Sequence, residues 1–397
     1  MVQNNSFACF ISKKIEMRSM SLSLARIEKA LNEISFNEKD LGFIIHVAGT
    51  NGKGTTVYFI SNMLINSGYN VASFYSPHIE KINERIVYNN ENISSDELED
   101  IYKQLAKVII KYDLTYFETL TLIAFYYFSK QKPDYTVIET GLGGRLDATN
   151  VLVNKLPVIT NISYDHPHIL GRKIYKIIDE KLAIVKNNNV VFVGNNEKFI
   201  RDYILEKLVY KKVFFTSYNY ELINNVINTL PKVDKYSYPY PYYYDFLLAL
   251  RIFNYLTNRV YDGKAIELPL CRFERFGNII FDGTHTINGL LQLFKNFNSN
   301  SKTSVLFSLT KERNLEKFIA VLTKYSNNIV LTTIPFNNRS ISIDTLNNID
   351  TYKQKKLKFI GDPLKGLTYL NREEKQTILV TGSFYLCAYL RGQVIKK

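Results

Sequence analysis

The sequence contains no tryptophan, only three cysteines, and no apolar run as long as the roughly 18 residues that a membrane span needs. Cys9, Cys271 and Cys387 lie far apart without paired spacing, which predicts buried free thiols rather than a disulfide framework or a zinc site. The apolar patch at 7–11 lacks the charged start and small-residue cleavage site of a signal peptide. These absences predict a cytoplasmic protein with no membrane partner.

Acidic residues are outnumbered by basic ones, 37 against 50, which gives a net charge of +13. The basic residues are spread along the chain rather than gathered in one arm, so the charge does not favour a nucleic-acid partner. A positive field equally suits anionic small molecules, because it steers them toward a site. At 397 residues, 46% of them hydrophobic, the chain is long enough for two or three domains.

Strand-like apolar runs alternate with amphipathic stretches of helical length, which is typical of an α/β fold with a largely parallel sheet. The first series of predicted strands comprises Phe43–Val47, Asn70–Phe74, Tyr135–Ile138, Pro157–Ile162 and Val190–Val193. The second series comprises Asn278–Phe281, Ser304–Ser308, Asn328–Thr332 and Thr377–Thr381. Residues 195–244 are weakly patterned, and a helix is predicted from near Asp245. We predict two domains, 1–268 and 269–397, with the linker within 262–277.

A glycine-rich strand-to-helix turn occupies residues 46–56 and reads HVAGTNGKGTT. Its glycines let backbone N–H groups turn toward an anion, the helix start carries partial positive charge, and Lys53 can reach terminal phosphates. Thr55 or the next threonine could supply a hydroxyl to Mg²⁺. The standard phosphate loop has Gly and Ser or Thr where this chain has Val47 and Gly54, so a turn without a ligand stays the alternative.

Glu139 directly follows the predicted strand Tyr135–Ile138 and precedes a second glycine-rich segment, TGLGGRLDATN at 140–150. A carboxylate at the end of a strand, opposite a phosphate loop, can hold or orient Mg²⁺ on ATP. A salt bridge between Glu139 and Arg145 is the alternative.

Two further candidates are weak on spacing alone. His166 follows the predicted strand Pro157–Ile162, but Mg²⁺ prefers oxygen ligands, so a structural hydrogen bond is the simpler interpretation. Lys181 lies in the apolar helical stripe 174–186, where a solvated side chain is the ordinary interpretation of a single lysine.

Taken together, these segments resemble the folylpolyglutamate synthase and dihydrofolate synthase family of Mur ligases. The matching stretches are His46–Thr55, Tyr75–Ile86, Leu114–Glu118, Glu139–Asn150, Asp165–His166, Glu180–Lys181, Arg272–Phe273, Asp282–His285 and Thr381–Ser383. They occur in family order, and HVAGTNGKGT and GLGGRLDATN are highly specific. The resemblance implies an α/β fold with a Mur ligase-type central domain, which has a phosphate loop and a parallel-rich sheet, and a smaller Rossmann-like C-terminal domain.

The resemblance implies an ATP- and Mg²⁺-dependent ligase that forms C–N bonds through an acyl phosphate. L-glutamate would be joined to dihydropteroate, to the glutamate tail of reduced folates, or to both, and we favour both. The version of Leu114–Glu118 present here resembles that of enzymes able to use dihydropteroate. We expect the enzyme to act as a monomer.

The resemblance also implies roles for individual residues. The expected catalytic residues are Lys53, Lys181 and His166. The expected ATP contacts are Asn51, Gly52, Lys53, Gly54, Thr55, Asp245, Arg272, Asp282 and His285. The expected Mg²⁺ ligands are Ser76, Glu139, His166 and Lys181, with Lys181 carried as a carbamate. The expected pterin-site residues are Thr115, Tyr116, Phe117, Glu118, Leu146, Asp147 and Ala148.

Some positions depart from the family pattern. Asp245 stands where the family usually has Asn, and Thr284 and Thr286 replace the usual Ala and Asn around His285. A folylpolyglutamate synthase without the dihydropteroate activity and a catalytically lapsed nucleotide-binding homologue therefore stay open as alternatives. A cell-wall Mur ligase is the nearest different substrate class, and LTYFE and GLGGRLDATN point away from it.

Overall fold

The structure is a computed structural model, and two compact units make up the chain. The described residues are 6–14, 23–165, 167–171, 173–186, 189–216, 238–263, 265–297, 303–311, 313–326, 328–335, 337, 339–342, 357–372 and 376–395. The first unit comprises Met1–Lys235 and Tyr244–Ile266, and the second comprises Tyr236–Tyr243 and Glu267–Lys397. The predicted domain limits, 1–268 and 269–397, stay a prediction.

A mostly parallel sheet organises the first unit. Within the described residues its eight strands are β1 Phe43–Ala48, β2 Val71–Phe74, β3 Ile86–Tyr88, β4 Glu91–Asn92, β5 Tyr135–Glu139, β6 Lys155–Ile159, β7 Val190–Val193 and β8 Lys212–Phe215. Their order is β4-β3-β2-β5-β1-β6-β7-β8, with β3 and β4 antiparallel at one edge. Strand β1 pairs in parallel with β5 and β6, so the residues that follow these three strands emerge at the same sheet edge.

Helices cover the first sheet. They are α1 Phe7–Lys13, α2 Ala25–Glu33, α3 Lys53–Asn66, α4 Ser95–Lys111, α5 Tyr116–Gln131, α6 Pro167–Leu170, α7 Ile174–Leu182, α8 Lys198–Lys207 and α9 Tyr242–Thr257. The first two residues of α9, Tyr242 and Tyr243, belong to the second unit. Strands β1 and β5, at the centre of the sheet, are almost wholly buried, which is typical of parallel strands with both faces covered. No helix in the described part of the chain has the length and apolarity to cross a bilayer.

The second unit has a smaller sheet of the same kind. Its strands, within the described residues, are β9 Glu274–Phe276, β10 Ile279–Asp282, β11 Thr303–Phe307, β12 Asn328–Leu331, β13 Leu357–Phe359 and β14 Thr377–Thr381. Their order is β13-β12-β11-β14-β10-β9, parallel except for β9. Its helices are α10 Ile287–Phe294, α11 Leu315–Tyr325, α12 Pro363–Leu370 and α13 Phe384–Val394, which begin at side-chain caps from Thr286, Asn314, Asp362 and Ser383.

The predicted strands are all present, with shifts at their ends. The strand predicted at Pro157–Ile162 is Lys155–Ile159, because from Thr160 onward the chain turns its polar groups to the phosphate loop. The helix predicted from near Asp245 begins at Tyr242, and the helical stripe 174–186 ends as a helix at Leu182. Of the three cysteines, Cys271 and Cys387 are buried, whereas Cys9 is only half-buried.

Candidate active site

The phosphate loop joins β1 to α3, and Gly52 is its turning point. Gly52 caps α3 with φ +84°, a backbone conformation that favours glycine. A Cβ on Gly52 would overlap Oδ1 of Asp245, and a Cβ on Gly54 would lie 3.1 Å from Oε2 of Glu139. The positive end of the α3 dipole is therefore faced by two carboxylates, those of Asp245 and Glu139.

Residues that follow β6 hold the loop from one side. The N–H of Thr50 donates to the Asn161 carbonyl at 2.7 Å, and the Thr160 hydroxyl donates to the Asn51 carbonyl at 2.7 Å. The Asn51 amide donates to Oγ of Ser163 at 3.2 Å. Thr160 and Asn161 lie within the predicted strand Pro157–Ile162, so their supporting role was not predicted. The polar residues at the end of that apolar run were the signal.

The Lys53 side chain folds back over the loop, with Nζ 3.4 Å from the Thr50 carbonyl oxygen. The hydroxyls of Thr55 and Thr56 are buried and have no hydrogen-bond partner among the described residues. A buried hydroxyl without a partner is costly unless something else binds it. Thr55 therefore suits the oxygen-ligand role predicted for one of these threonines.

Glu139 ends β5 and is buried beside the loop. Its Oε2 accepts the backbone N–H of Ser76 at 2.9 Å, so the two predicted metal ligands lie next to each other. The alternative of a Glu139–Arg145 salt bridge is wrong, because Arg145 instead pairs with Glu180, with Nε 2.9 Å from Oε1. Glu139 is thus a buried carboxylate turned to the phosphate loop.

Lys181 is not a solvated side chain. It is 3% exposed, and Nζ donates to the carbonyl of Gly49, in the phosphate loop, at 2.7 Å. Burial, with a smaller contribution from the charge of Lys53, lowers the pKa of Lys181 to about 7. A large part of the amine is therefore neutral near neutral pH, which is the form that reacts with CO₂.

The predicted pterin segment 115–118 forms the start of α5. The Thr115 hydroxyl accepts the Glu118 N–H at 3.3 Å, while the Glu118 carboxylate accepts the Thr115 N–H at 2.8 Å, as in a capping box. Arg26 donates to the same carboxylate from Nε and Nη2, at 3.1 and 2.9 Å. The sequence could not indicate Arg26, whose partner is 92 residues away.

The two aromatic residues of segment 115–118, Tyr116 and Phe117, contact Arg85 and Gly141, respectively. The guanidinium of Arg85 lies over the Tyr116 ring, 5.4 Å from its centre. The Phe117 ring lies against Gly141, where a Cβ would be 2.6 Å from Cζ of the ring. The two predicted pterin segments, 115–118 and 146–148, therefore belong to stretches of chain that touch at Phe117 and Gly141.

The segment 141–150 is fastened to α7. The Arg145 N–H donates to the Glu180 carbonyl at 3.0 Å, and Gly144 approaches so closely that a Cβ would lie 2.5 Å from that carbonyl oxygen. Of the three predicted pterin residues here, Leu146 is 39% exposed, whereas Asp147 and Ala148 are buried. The segment that follows Glu139 is thus attached to the helix that carries Lys181.

In the second unit, the structure describes Arg272, Asp282 and His285 at one end of β10. The Arg272 guanidinium lies over the Phe384 ring, 3.9 Å from its centre. His285 packs edge-on against the same ring at 5.5 Å, and its Nδ1–H donates to the Gly283 carbonyl at 2.9 Å. One aromatic side chain therefore supports two of the predicted nucleotide contacts.

Asp282 itself is fully buried, which raises its pKa. Its carboxylate accepts the Tyr242 hydroxyl at 2.6 Å and the backbone N–H groups of Phe273 and Thr284 at 3.0 and 2.9 Å. The departure at Thr286 has a local structural reason, since its hydroxyl caps α10 by accepting the Gly289 N–H at 3.1 Å.

His166, predicted as a catalytic residue and a metal ligand, lies outside the described residues. Among the residues that are described, no group of three or more His, Cys, Asp or Glu could hold a metal ion. This finding does not bear on Ser76 or Lys181, whose side chains are of other types. The predicted Mg²⁺ set stays a prediction.

Comparisons with known proteins agree with the family resemblance. Residues 47–233 match the family model described as Mur ligase middle domain. The chain is 33% identical over 330 residues to a dihydrofolate synthase/folylpolyglutamate synthase of Buchnera aphidicola subsp. Baizongia pistaciae, covering 75% of this chain and 76% of the relative. It is 28% identical over 410 residues to the protein of that name from Bacillus subtilis, covering 94% of each.

The structure is also similar to that of E. coli FolC in complex with DHPP and ADP. The TM-score is 0.81 at 24% sequence identity, with 98% of each chain covered. The predicted Mur ligase-type α/β fold is confirmed. The chain belongs to the dihydrofolate synthase/folylpolyglutamate synthase family of ATP-dependent ligases, as the sequence motifs predicted.

Proposed function

We propose that this protein joins L-glutamate to dihydropteroate and to the glutamate tail of reduced folates, with ATP as co-substrate. The observation that carries the proposal is a phosphate loop with two buried charged residues against it, Glu139 near Gly54 and Lys181 hydrogen-bonded to Gly49. The family supplies the substrate class, since relatives over most of this chain's length have the dual name. We also propose that the protein acts in the cytoplasm, where ATP and folates are available. We expect a monomer, which light scattering after gel filtration would check.

ATP phosphates would bind at the start of α3. Backbone N–H groups from Asn51 to Thr55 lie at the positive end of a 14-residue helix, which is the ordinary setting for a phosphate. Lys53, already folded over the loop, would move its ammonium to the terminal phosphate. Neutralising the γ-phosphate lets a substrate carboxylate attack it, which forms an acyl phosphate and ADP. The amino group of glutamate then displaces phosphate and forms the amide.

The residues beside the loop fit Mg²⁺. Glu139 offers a buried carboxylate, and Thr55 offers a buried hydroxyl without a hydrogen-bond partner in the described structure. Ser76 lies next to Glu139, and we place His166 in the same ligand set on the family pattern. Bound Mg²⁺ would neutralise phosphate charge. No Ser/His/Asp nucleophile is needed, because positioning and charge carry this chemistry.

We infer that Lys181 is carried as a carbamate. Its neutral amine would attack CO₂, forming an N–C bond and releasing one proton, so that a buried cation becomes an anionic oxygen ligand. A protein sample equilibrated with ¹³C-bicarbonate should give a carbamate carbon signal in its NMR spectrum. The signal should vanish in Lys181→Met but persist in Lys155→Met, the matched control. Lys155 is also buried, with a pKa lowered to about 6.

The pteroate part of the substrate would lie against segments 115–118 and 146–148. Phe117 of the first segment contacts Gly141, which belongs to the same glycine-rich stretch as 146–148, and this contact supports one shared pocket. Arg272, Asp282 and His285 would contact the nucleotide. The firm support of Arg272 and His285 by Phe384 is consistent with a binding role. These roles are proposals for mutagenesis.

The direct test is ADP release by the purified protein with ATP, Mg²⁺ and L-glutamate. Dihydropteroate is added in one assay and tetrahydrofolate in another. Turnover with both supports the dual activity, whereas turnover with tetrahydrofolate alone identifies a folylpolyglutamate synthase. ATP binding without glutamate-dependent ADP release would identify a lapsed homologue. Lys53→Ala should abolish ADP formation, and near-normal turnover in this variant would contradict the role of the loop.

A further inference from the structure

His46 is fully buried on β1, the strand that leads into the phosphate loop. Its Nε2 lies 2.7 Å from the hydroxyl of Thr149, and its Nδ1 has no hydrogen-bond partner among the described residues. Burial, together with the charges of Lys155 and Lys186, lowers the pKa of His46 well below its usual range. The imidazole is therefore neutral, with a single N–H to donate.

The position of that proton follows from the next hydrogen bond. The Thr149 hydroxyl donates its only hydrogen to Oδ1 of Asp147, at 2.5 Å. It can therefore only accept from His46, which places the imidazole proton on Nε2. This gives a directed chain in which His46 donates to Thr149 and Thr149 donates to Asp147.

Asp147 joins the two ends of the glycine-rich segment through hydrogen bonds. Its Oδ2 accepts the N–H of Leu142 at 2.8 Å, and its Oδ1 also accepts the N–H of Thr149 at 3.1 Å. The beginning and the end of the segment thus meet at one buried carboxylate. Since Asp147 is buried while Leu146 is exposed, the carboxylate is used for holding the segment from within.

The segment has a second attachment, to α7 through Arg145 and Glu180. Helix α7 also carries Lys181, which donates to Gly49. The hydrogen bonds from His46 through Thr149 to Asp147 form a separate attachment, which joins the segment to β1 rather than to α7.

We propose that His46 and Thr149 are positioning residues that hold the glycine-rich segment 141–150 in register with the phosphate loop. The inference rests on the proposed function for the identity of the substrate, but the geometry that carries it does not. Neither residue is expected to touch ATP or the reacting atoms. Both act through Asp147, which sets where Leu146 and its neighbours lie.

The test compares Thr149→Val with Thr149→Ser. Valine keeps the shape but removes the hydroxyl. The His46 N–H then has no acceptor, and Oδ1 of Asp147 keeps only the backbone N–H of residue 149, whereas serine preserves both side-chain hydrogen bonds. The loss of this buried hydrogen bond should raise the KM for dihydropteroate about tenfold in Thr149→Val. The KM for ATP should stay within about twofold, because the phosphate loop keeps its own bonds. The serine variant should resemble the wild type.

A second pair of variants, at His46, tests the other end of this hydrogen-bond chain. The Gln amide can place an N–H near Nε2, so His46→Gln should retain a low KM for dihydropteroate, and His46→Leu should not. Thr303→Val is the matched control. Thr303 is buried in β11 of the second unit, and its hydroxyl has no hydrogen-bond partner among the described residues. This control should change neither KM.

A merely structural role would give a different result. Thr149→Val would then lower the melting temperature and the active fraction while leaving both KM values unchanged, or would raise both equally, and either result overturns the proposal. Hydrogen exchange provides a readout that does not need turnover. Amides of 141–150 should exchange faster in Thr149→Val than in Thr149→Ser, with 49–56 unaffected. If the wild type does not turn over dihydropteroate, the proposed function has failed, and the exchange result alone supports or overturns the positioning role.

Discussion

Gly52 allows a quantitative test of the phosphate-loop geometry, because the chain contains a matched glycine. Gly52 has φ +84° and Gly68 has φ +89°, so alanine is strained to the same extent at both. They differ in their surroundings. A Cβ on Gly68 would meet nothing within 4 Å, whereas one on Gly52 would overlap Oδ1 of Asp245 and lie 2.8 Å from its Cγ.

Gly68→Ala should therefore cost only the conformational strain, about 1–2 kcal/mol. Gly52→Ala should cost the same strain plus the displacement of the carboxylate or of the helix start, about 1–3 kcal/mol more. The expected difference between the variants is a melting temperature about 2–4 °C lower for each extra kcal/mol in a unit of this size. Thermal and urea unfolding of both variants would measure it.

The control is the same pair of substitutions with Asp245→Ala in the background. With the carboxylate removed, Gly52→Ala should cost no more than Gly68→Ala, and the recovered free energy is the coupling between Gly52 and Asp245. Equal costs of the two glycine substitutions in the wild-type background would refute the contact. An unchanged excess cost in the Asp245→Ala background would assign the crowding to another group.

Three other substitutions test charges. Asp245→Asn should lower the KM for ATP about tenfold, because a carboxylate near the phosphates costs on the order of 1–2 kcal/mol at an effective dielectric constant of about 20. An unchanged KM would mean that a cation offsets the charge. Burial and the charge of Lys186 lower the pKa of Lys155 to about 6. Between that value and the unfolded pKa of about 10.4, only the unfolded chain holds this proton, so stability rises with pH. In Lys155→Met the free energy of unfolding, measured with urea, should rise less steeply between about pH 7 and about pH 9, by up to about 1.4 kcal/mol per pH unit. The same slope in the wild type and the variant would contradict the lowered pKa of Lys155. Arg26→Met leaves the buried Glu118 carboxylate without its ion pair and should cost about 2–3 kcal/mol in urea unfolding, less than a fully buried pair because the Arg26 side chain is 24% exposed. The double variant Arg26→Met with Glu118→Gln should recover part of that loss. If it loses as much free energy of unfolding as Arg26→Met alone, the ion pair is contradicted.

The sequence predicted the parts of the site that local patterns determine. Glu139 follows an apolar run, and Lys53 lies among glycines after another, so both could be placed at strand ends without knowing the tertiary structure. The short edge strands β4 and β9 have no such run. They are only two and three residues long and pair with the strand next to them in the chain, which is too short a stretch for an apolar pattern to show.

The burial of Lys181 could not be predicted in this way. Its place in the apolar stripe is ambiguous, and its burial depends on the carbonyl of Gly49, 132 residues away in sequence. The ion pair of Arg26 with Glu118 is likewise a long-range contact. Spacing identifies which residue types are close along the chain, whereas these pairs are set by how the sheet brings distant segments together.

The position of β1 in the sheet has a consequence for protein synthesis. The phosphate loop is made early, but its strand pairs with β5 and β6, and the contacts that shape it come from Asn161, Ser163 and Asp245. A nascent chain can therefore not complete this loop until α9 has left the ribosome, because such non-local contacts form only after the intervening chain is available. During translation, the nucleotide cannot help the first unit to fold; it can only stabilise a unit that is already nearly finished.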